Sequence, residues 1–215
     1  MAKRRKVGNM LALAVLSVLV EGPMHPYEMA TMLRERGKDQ DMKINWGSLY
    51  TVVQNLDKHG FIRATETIRA GRRPERTVYE ITDAGRHELQ DWVRELVGEP
   101  EREFPKFEAA LSMMGALPPD EALPLLERRL TRLDEDIAGQ QAAYEDATRE
   151  VPRFFLVEVE YRLAMRRAEA AWLRALLAEI AAGELYPGIE LWREYHASGP
   201  GAQREARREE AGTPD

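Results

Sequence analysis

The chain has 215 residues, 44% of them hydrophobic, which is enough to bury a core and long enough for two small domains. It contains no cysteine, and this excludes a disulfide scaffold, a thiolate metal site and a cysteine nucleophile. The net charge of −6 is unevenly spread: residues 1–100 carry 16 Lys and Arg against 14 Asp and Glu, and the remainder is acidic by 8 charges, so the first half retains a local attraction for a polyanion.

The basic cluster Lys3-Arg4-Arg5-Lys6 precedes the longest apolar run, Met10 to Val20. That run is too short to span a bilayer. The pair imitates the start of a signal peptide, yet no small-residue cleavage site follows and the next segment continues as periodic helix. A cytoplasmic protein with no membrane segment is expected, with Lys3 to Lys6 either a basic arm or a terminus without a role. Asn9 to Val20 is apolar on nearly all faces, as a central buried helix should be, and Gly22-Pro23 ends it. A second helix starts at His25-Pro26, carries Tyr27, Met29, Ala30 and Leu33 at helical spacing, and ends near Gly37. Lys38 to Lys43 has no apolar period and is expected to be a loop.

Asn45 supplies an N-cap for a third helix. Leu49, Val52, Val53 and Leu56 form its apolar face, which leaves Ser48, Thr51, Gln54, Asn55 and Lys58 largely off that face. His59-Gly60 ends it. Three short helices on tight connections are the minimum of a helix-turn-helix unit. The period then changes. Phe61 to Arg69 is rich in β-branched residues, Tyr79 and Ile81 alternate in Arg76 to Thr82, and the basic turn Ala70 to Glu75 lies between them. This is a β-hairpin with an arginine-rich tip. Thr82 or Asp83 caps a further helix with Leu89, Trp92, Val93 and Leu96 on its apolar side. A boundary falls near Gly98-Glu99-Pro100.

The second half reads as all helix. Phe104 to Met114 is a short helix stopped by Leu117-Pro118-Pro119 and recapped at Asp120. Leu123, Leu126, Leu130, Leu133 and Ile137 follow in alternating steps of three and four, a heptad seam. Pro152 interrupts the chain, and Phe154 to Ala182 forms a last long helix with Val159, Leu163, Trp172, Leu176 and Ile180. Residues 196–215 have almost nothing to bury and are expected to be a disordered tail. The organisation expected is residues 1–99 as a winged helix-turn-helix domain, 100–195 as an all-α dimerisation domain, and 196–215 as the tail. The fold class is mostly α with a small β-hairpin wing.

A winged helix inserts its third helix in the major groove while the wing lies on the adjacent backbone or minor groove. Ser48, Thr51, Gln54 and Lys58 are therefore the expected DNA face, and Gln54 is suited to pair bidentately with adenine. Arg69, Arg72, Arg73 and Arg76 place four guanidinium groups within eight residues, opposed only by Glu75, at the hairpin tip. Phosphate or minor-groove contact is expected there.

Several pieces resemble the PadR family of transcriptional regulators. They are Leu11-Ala12-Leu13 through Gly22-Pro23-Met24-His25-Pro26-Tyr27-Glu28, then Gly47-Ser48-Leu49-Tyr50, Leu56-Asp57-Lys58-His59-Gly60-Phe61-Ile62, and Arg76 through Gly85. They stand in the family's order over residues 8–90. Leu125 to Leu130 and Trp172 to Leu177 are similar to the long form of the family. Thr51 departs from the pattern, because members often carry proline after the tyrosine; threonine is compatible with a first-turn position and leaves an extra hydroxyl for DNA. The resemblance implies a homodimeric regulator, most often a repressor, released from DNA by a small molecule or another signal. It also implies that the Tyr50 hydroxyl reaches a phosphate. With the heptad seam it points to Leu126, Leu130, Leu133, Ile137, Val159, Leu163 and Leu176 as dimerisation residues, although the same residues could instead close a bundle within one chain. A two-fold dimer matches a palindromic operator on double-stranded DNA.

An effector pocket between the domains could be lined by Trp92, Phe104, Phe107 and Trp172; the competing reading is that they are plain core residues. His25, His59, His87 and His196 are scattered, without zincin spacing. No glycine-rich phosphate loop follows a strand, and Asp134 and Asp136 sit on a charged helix. No catalysis, metal or cofactor is expected. A winged helix that contacts protein rather than DNA is the competing reading, and the wing arginines count against it.

Overall fold

The Asn9 side chain accepts the Leu11 amide at 2.9 Å and so starts α1 (Met10–Leu19), in which all but Met10 and Ser17 are buried. This is a computed structural model, and it describes residues 5–68, 76–183 and 193–194. The chain divides into two compact units, Met1–Glu103 and Phe104–Asp215.

In the first unit α1 is the axis. Packed against it are α2 (Pro26–Glu35), α4 (Leu49–Lys58) and α5 (Asp83–Gly98). His25 opens α2 as a capping box: its ring accepts the Tyr27 amide, and the Glu28 carboxylate accepts the His25 amide at 2.8 Å. Met29, Ala30 and Leu33 turn inward. The segment expected to be a loop instead holds one helical turn, α3 (Lys38–Asp41), none of whose residues is buried. Gly37, at φ +64°, lets the chain reverse, and Lys38 pairs with Asp41 at 2.7 Å across the turn. A helix that buries nothing leaves no periodic trace in sequence.

The start of the third long helix also differs from expectation. Asn45 accepts the Gly47 amide at 3.1 Å and caps a tight 3₁₀ turn, Trp46–Ser48, from which α4 continues at Leu49. The backbone winds more tightly for one turn before the α-helix proper, so the capping residue Asn45 stands three positions earlier than Ser48, the simple N-cap position of α4. Trp46 is half-buried against the core, with the Arg34 guanidinium 4.3 Å above its ring.

Strands β1 (Ile62–Ile68) and β2 (Arg76–Ile81) pair antiparallel, with Ile62 opposite Ile81 and Arg63 opposite Glu80; Thr65 is the extra residue of a bulge. A third strand position comes from the connection before α2. Met24 and Tyr79 exchange both backbone hydrogen bonds, at 2.9 and 3.0 Å. The Gly-Pro-Met-His-Pro sequence around Met24 shows no alternation that would announce it.

Thr82 caps α5 by accepting the Gly85 amide, and its hydroxyl donates to the Gly60 carbonyl at 2.7 Å. Trp92 is buried and Leu89 packs on the core. Val93 and Leu96, expected on the same apolar side, are exposed, as is Val97 at 82%. Only one narrow stripe of this helix meets the α1 core within the chain.

In the second unit the short helix expected over Phe104–Met114 is narrower: α6 (Lys106–Ser112) is followed by a 3₁₀ turn, Met114–Ala116. Phe104 precedes it. The long helix α7 (Pro119–Ala147) begins at Pro119, not at a cap on Asp120. Proline fits the first helical position because the amide it lacks would have had no partner there. After Pro152 a 3₁₀ turn, Arg153–Leu156, precedes α8 (Val157–Ala181), so the last helix starts three residues later than Phe154. Helices α7 and α8 run antiparallel, as the contacts Tyr144–Glu160, Gln141–Arg167 and Asp134–Arg174 require. Leu126, Leu133, Ala170 and Leu173 form the buried seam, with Leu130, Ile137, Leu176 and Ile180 against it. Trp172, expected on the inward stripe, is 47% exposed, and its neighbour Leu173 is the inward residue. The expected tail, 196–215, lies outside the described residues.

Candidate nucleic-acid interface

Helix α4 has two chemically opposite faces. Leu49, Val52, Val53 and Leu56 are buried against α1 and α2, which fixes the helix's rotation about its own axis. Tyr50 (59% exposed), Thr51, Gln54, Asn55 and Lys58 therefore point to solvent. Among the described residues none of these five side chains has a hydrogen-bond or ion-pair partner. Other surface charges of this unit are spent internally: Arg36 on Glu21, and Arg63 on Glu80 across the hairpin. A polar face left without partners on a helix held rigidly from behind is suited to an external ligand that supplies donors and acceptors. Ser48 differs from this set. It is half-buried and its hydroxyl donates to the Asn45 carbonyl at 2.7 Å, so it shapes the turn and keeps only acceptor capacity.

The supports of this face are local. Trp46, clasped between the core and Arg34, anchors the entry to α4. At the other end Thr82 ties the Gly60 and Phe61 carbonyls to the start of α5. Gly85 permits that approach: a Cβ there would lie 2.0 Å from the Phe61 carbonyl oxygen. The strands of the wing thus leave α4 in a fixed direction. Arg76 opens β2 opposite Ile68, while Arg69, Arg72 and Arg73 lie outside the described residues.

Arg5 belongs to the terminal basic cluster, yet the structure gives it a different task. Its side chain is 5% exposed, bonded to Glu88 at 2.7 Å and to Glu95, with the Trp92 ring 5.0 Å away. Burial alone would lower its pKa, but the bonds to Glu88 and Glu95 outweigh that and raise it. It fastens the N-terminus to α5. No periodicity signals such a contact, because the partners are more than 80 residues away.

The expected aromatic residues come from both units. Trp92 is a core residue of the first unit. In the second unit Phe107 and Trp172 meet edge to face, with centroids 6.3 Å apart, and Phe104 is 80% exposed. Of the residues expected to dimerise, Leu126, Leu133 and Leu163 are buried within the chain and Leu130, Ile137, Val159 and Leu176 are half-buried. The seam of α7 faces α8 of the same chain. Among the described residues no three His, Asp or Glu side chains stand together to hold a metal ion. Among them, too, no helix is long and apolar enough to cross a membrane.

Three stacked helices, a hairpin reaching out beside the third and a fourth helix returning behind it define a winged helix-turn-helix, here followed by an α-helical region. Residues 15–91 match the model of the Transcriptional regulator PadR-like family. The matched residues lie in the first unit, which is similar to that family of transcriptional regulators. The chain is similar to the negative transcriptional regulator PadR of Bacillus subtilis, at 26% identity over 180 residues that cover 80% of this chain and 98% of that one. The crystal structure of B. subtilis PadR in complex with operator DNA has the same fold, with a TM-score of 0.66 and 24% identity over 80% of this chain and 99% of that chain. The B. subtilis PadR structure in complex with p-coumaric acid does likewise, at 0.68 and 22% over the same shares.

Proposed function

We propose that this protein is a cytoplasmic, homodimeric repressor that binds a palindromic operator and leaves it when a small molecule binds, and that it catalyses no reaction. The observation that carries this reading is the unpartnered outer face of α4. Gln54 offers the amide geometry that pairs with adenine in the major groove. Tyr50, Thr51 and Lys58 stand around it for phosphate and sugar contact, and Ser48 closes the turn at its edge. Arg69, Arg72, Arg73 and Arg76, which the sequence assigns to the wing, add contacts that hold orientation without reading sequence.

Dimer formation is supported by apolar surface that each unit leaves uncovered. Val93, Leu96 and Val97 lie exposed on α5, and Tyr161, Met165 and Trp172 on α8. A monomer gains nothing by displaying such side chains, and a second copy would bury them. The half-buried Leu130, Ile137, Val159 and Leu176 extend that surface from the α7–α8 seam. Control by a small molecule is supported by the likeness to a regulator whose structure holds p-coumaric acid.

Fluorescence anisotropy with labelled DNA from the protein's own upstream region tests the reading. Arg72→Ala with Arg73→Ala should weaken binding and flatten its salt dependence, each lost phosphate contact lowering the slope of log K against log salt by about 0.9. Equal, weak affinity for unrelated DNA would favour a winged helix that contacts protein instead.

A further inference from the structure

On one face of the second unit the α7–α8 pair gathers positive charge with little to neutralise it. Arg128, Arg129 and Arg132 on α7 and Arg166 on α8 border a cleft of 220 Å³, with Leu125 and Leu133 completing its wall. Asp136 is the one carboxylate that lines it. Four positive charges thus stand against one negative, in the half of the chain that is acidic by 8 charges overall.

The excess begins in the sequence of α7. The residues one helical turn from Arg128 are Pro124, Leu125, Thr131 and Arg132, so its own helix offers it no carboxylate at pairing distance. Arg132 has Asp136 one turn later, but Asp136 stands 3.8 Å from Arg166 on the other helix. Other carboxylates of the pair are engaged: Glu169 accepts from the Nε of Arg129 at 2.7 Å, and Asp134 pairs with Arg174. Arg128 and Arg132 are exposed, and among the described residues they have no hydrogen-bond or ion-pair partner. Like charges four residues apart on a helix destabilise it. The unliganded fold gains nothing from this arrangement, and an anion in the cleft would.

The number of guanidinium groups selects the anion. One guanidinium satisfies a carboxylate, which brings two oxygens and a single charge. Arg128, Arg132 and Arg166 call for several charged oxygens spaced along the cleft, and the planar fork of arginine fits phosphate oxygens in pairs. Arg129 contributes differently. Its guanidinium carbon lies 3.5 Å from the centre of the Phe107 ring and its Nε is spent on Glu169, so it adds fixed positive potential. Size points the same way. A water molecule takes about 30 Å³ of liquid volume, so 220 Å³ holds about seven oxygen-sized groups. Sulfate or orthophosphate, with four oxygens, leaves much of that space empty, and two or three linked phosphates fill it.

We propose that this cleft binds a diphosphate or triphosphate group. Arg128 and Arg132 hold it along α7, Arg166 meets it from α8, and Asp136 keeps Arg166 turned toward α7. The group arrives either as the free inorganic anion or as the tail of a nucleotide, since both present the same oxygens. Neither the site nor its test depends on the regulator reading above.

Isothermal titration calorimetry of the full-length protein, without magnesium and at about 0.1 M salt, tests it with inorganic pyrophosphate, inorganic triphosphate and ATP, and with sulfate for comparison. Pyrophosphate and triphosphate should bind with Kd below about 1 mM, and triphosphate at least about tenfold more tightly than sulfate. ATP bound as tightly as triphosphate assigns recognition to the phosphates alone, and ATP bound more than about tenfold more tightly assigns a nucleotide as their source. Arg128→Gln with Arg132→Gln should weaken triphosphate at least about tenfold and leave the unfolding temperature unchanged or raised, because a repulsion is removed. Arg166→Gln should weaken it from the other helix, while Arg72→Ala with Arg73→Ala should leave it unchanged. Equal affinity for triphosphate and sulfate, binding that survives the α7 double variant, or binding lost with Arg72 and Arg73 instead would each overturn the proposal. A fall in unfolding temperature in the double variant would overturn it too, by showing that these arginines hold the fold. So would no binding at about 1 mM, the result if carboxylates of a second copy occupy the cleft.

Discussion

Replacing Gly85 by alanine tests how the wing and α5 are joined. Gly85 is buried in the first turn of α5, where the helix crosses the end of α4's exit loop. An added Cβ would stand 2.0 Å from the Phe61 carbonyl oxygen and 2.9 Å from Ile81 Cγ1. The oxygen is backbone, and it accepts the Thr82 amide at 3.0 Å, so no side-chain rotation relieves the contact. Helix or loop must move by about an ångström. Overpacking of this kind costs about 3 kcal/mol, against about 1 kcal/mol returned by alanine's better helix propensity, which leaves a net loss of about 2 kcal/mol. Gly98, at the end of the same helix, has open space around it, so Gly98→Ala should be neutral or stabilising by up to about 1 kcal/mol. Urea unfolding followed by tryptophan fluorescence measures both. If Gly85→Ala and Gly98→Ala shift the midpoint in the same direction by similar amounts, the close approach at Phe61 is not a constraint and the reasoning fails.

Three other outcomes follow from named contacts. Arg5→Met leaves Glu88 and Glu95 facing an uncharged, largely buried neighbour, and should cost about 3 kcal/mol in urea unfolding, most of it recovered when Glu88→Gln and Glu95→Gln are added; a loss under about 1 kcal/mol would mean that Arg5 behaves as a surface charge. Glu160 accepts hydrogen bonds from Arg153 and from the Tyr144 hydroxyl, which push its carboxyl pKa down to about 2. With a depressed folded-state value, its linkage stabilises above about 4.5 and is lost as pH falls from there toward 2, so carboxyl NMR titration should find it near 2 and Arg153→Gln should move it up toward 4.5. Lys58→Ala should lower affinity for all DNA sequences to a similar extent and reduce the salt slope by about 0.9, and an unchanged slope would remove Lys58 from the phosphate contacts.

Much of the first unit could be read from residue pattern because its helices bury one face and show it. The inward set Leu49, Val52, Val53 and Leu56 defines the outward set of α4 by subtraction, so the facing of Gln54 and Lys58 was legible before any coordinates. What escaped the pattern has one of two physical causes: the contact is distant in sequence, or the segment buries nothing. The one-turn α3 has no buried residue to mark it, and Met24 joins the hairpin through backbone atoms that every residue possesses. Arg5 reads as part of a basic run because its two carboxylates lie on a helix far along the chain. In α8, Trp172 and Leu173 are both large and apolar, and the antiparallel packing of α7 selects Leu173 for the seam. The heptad of α7 announced a partner helix without saying which one, since α8 of the same chain and a helix of a second copy ask for the same spacing. Val93 and Leu96 carried the converse signal: apolar residues whose partner is not in this unit's core.

The most direct test of the central claim is the affinity of the full-length protein, and of its Gln54→Ala variant, for its own upstream DNA and for a scrambled duplex of equal length, by fluorescence anisotropy at one fixed salt concentration with excess non-specific competitor. The natural protein should prefer its upstream sequence by a factor on the order of 10³ or more, and Gln54→Ala should lose at least about tenfold on that sequence with little change on the scrambled one. Equal binding of both duplexes by the natural protein, or equal loss on both in the variant, would contradict sequence readout by the outer face of α4.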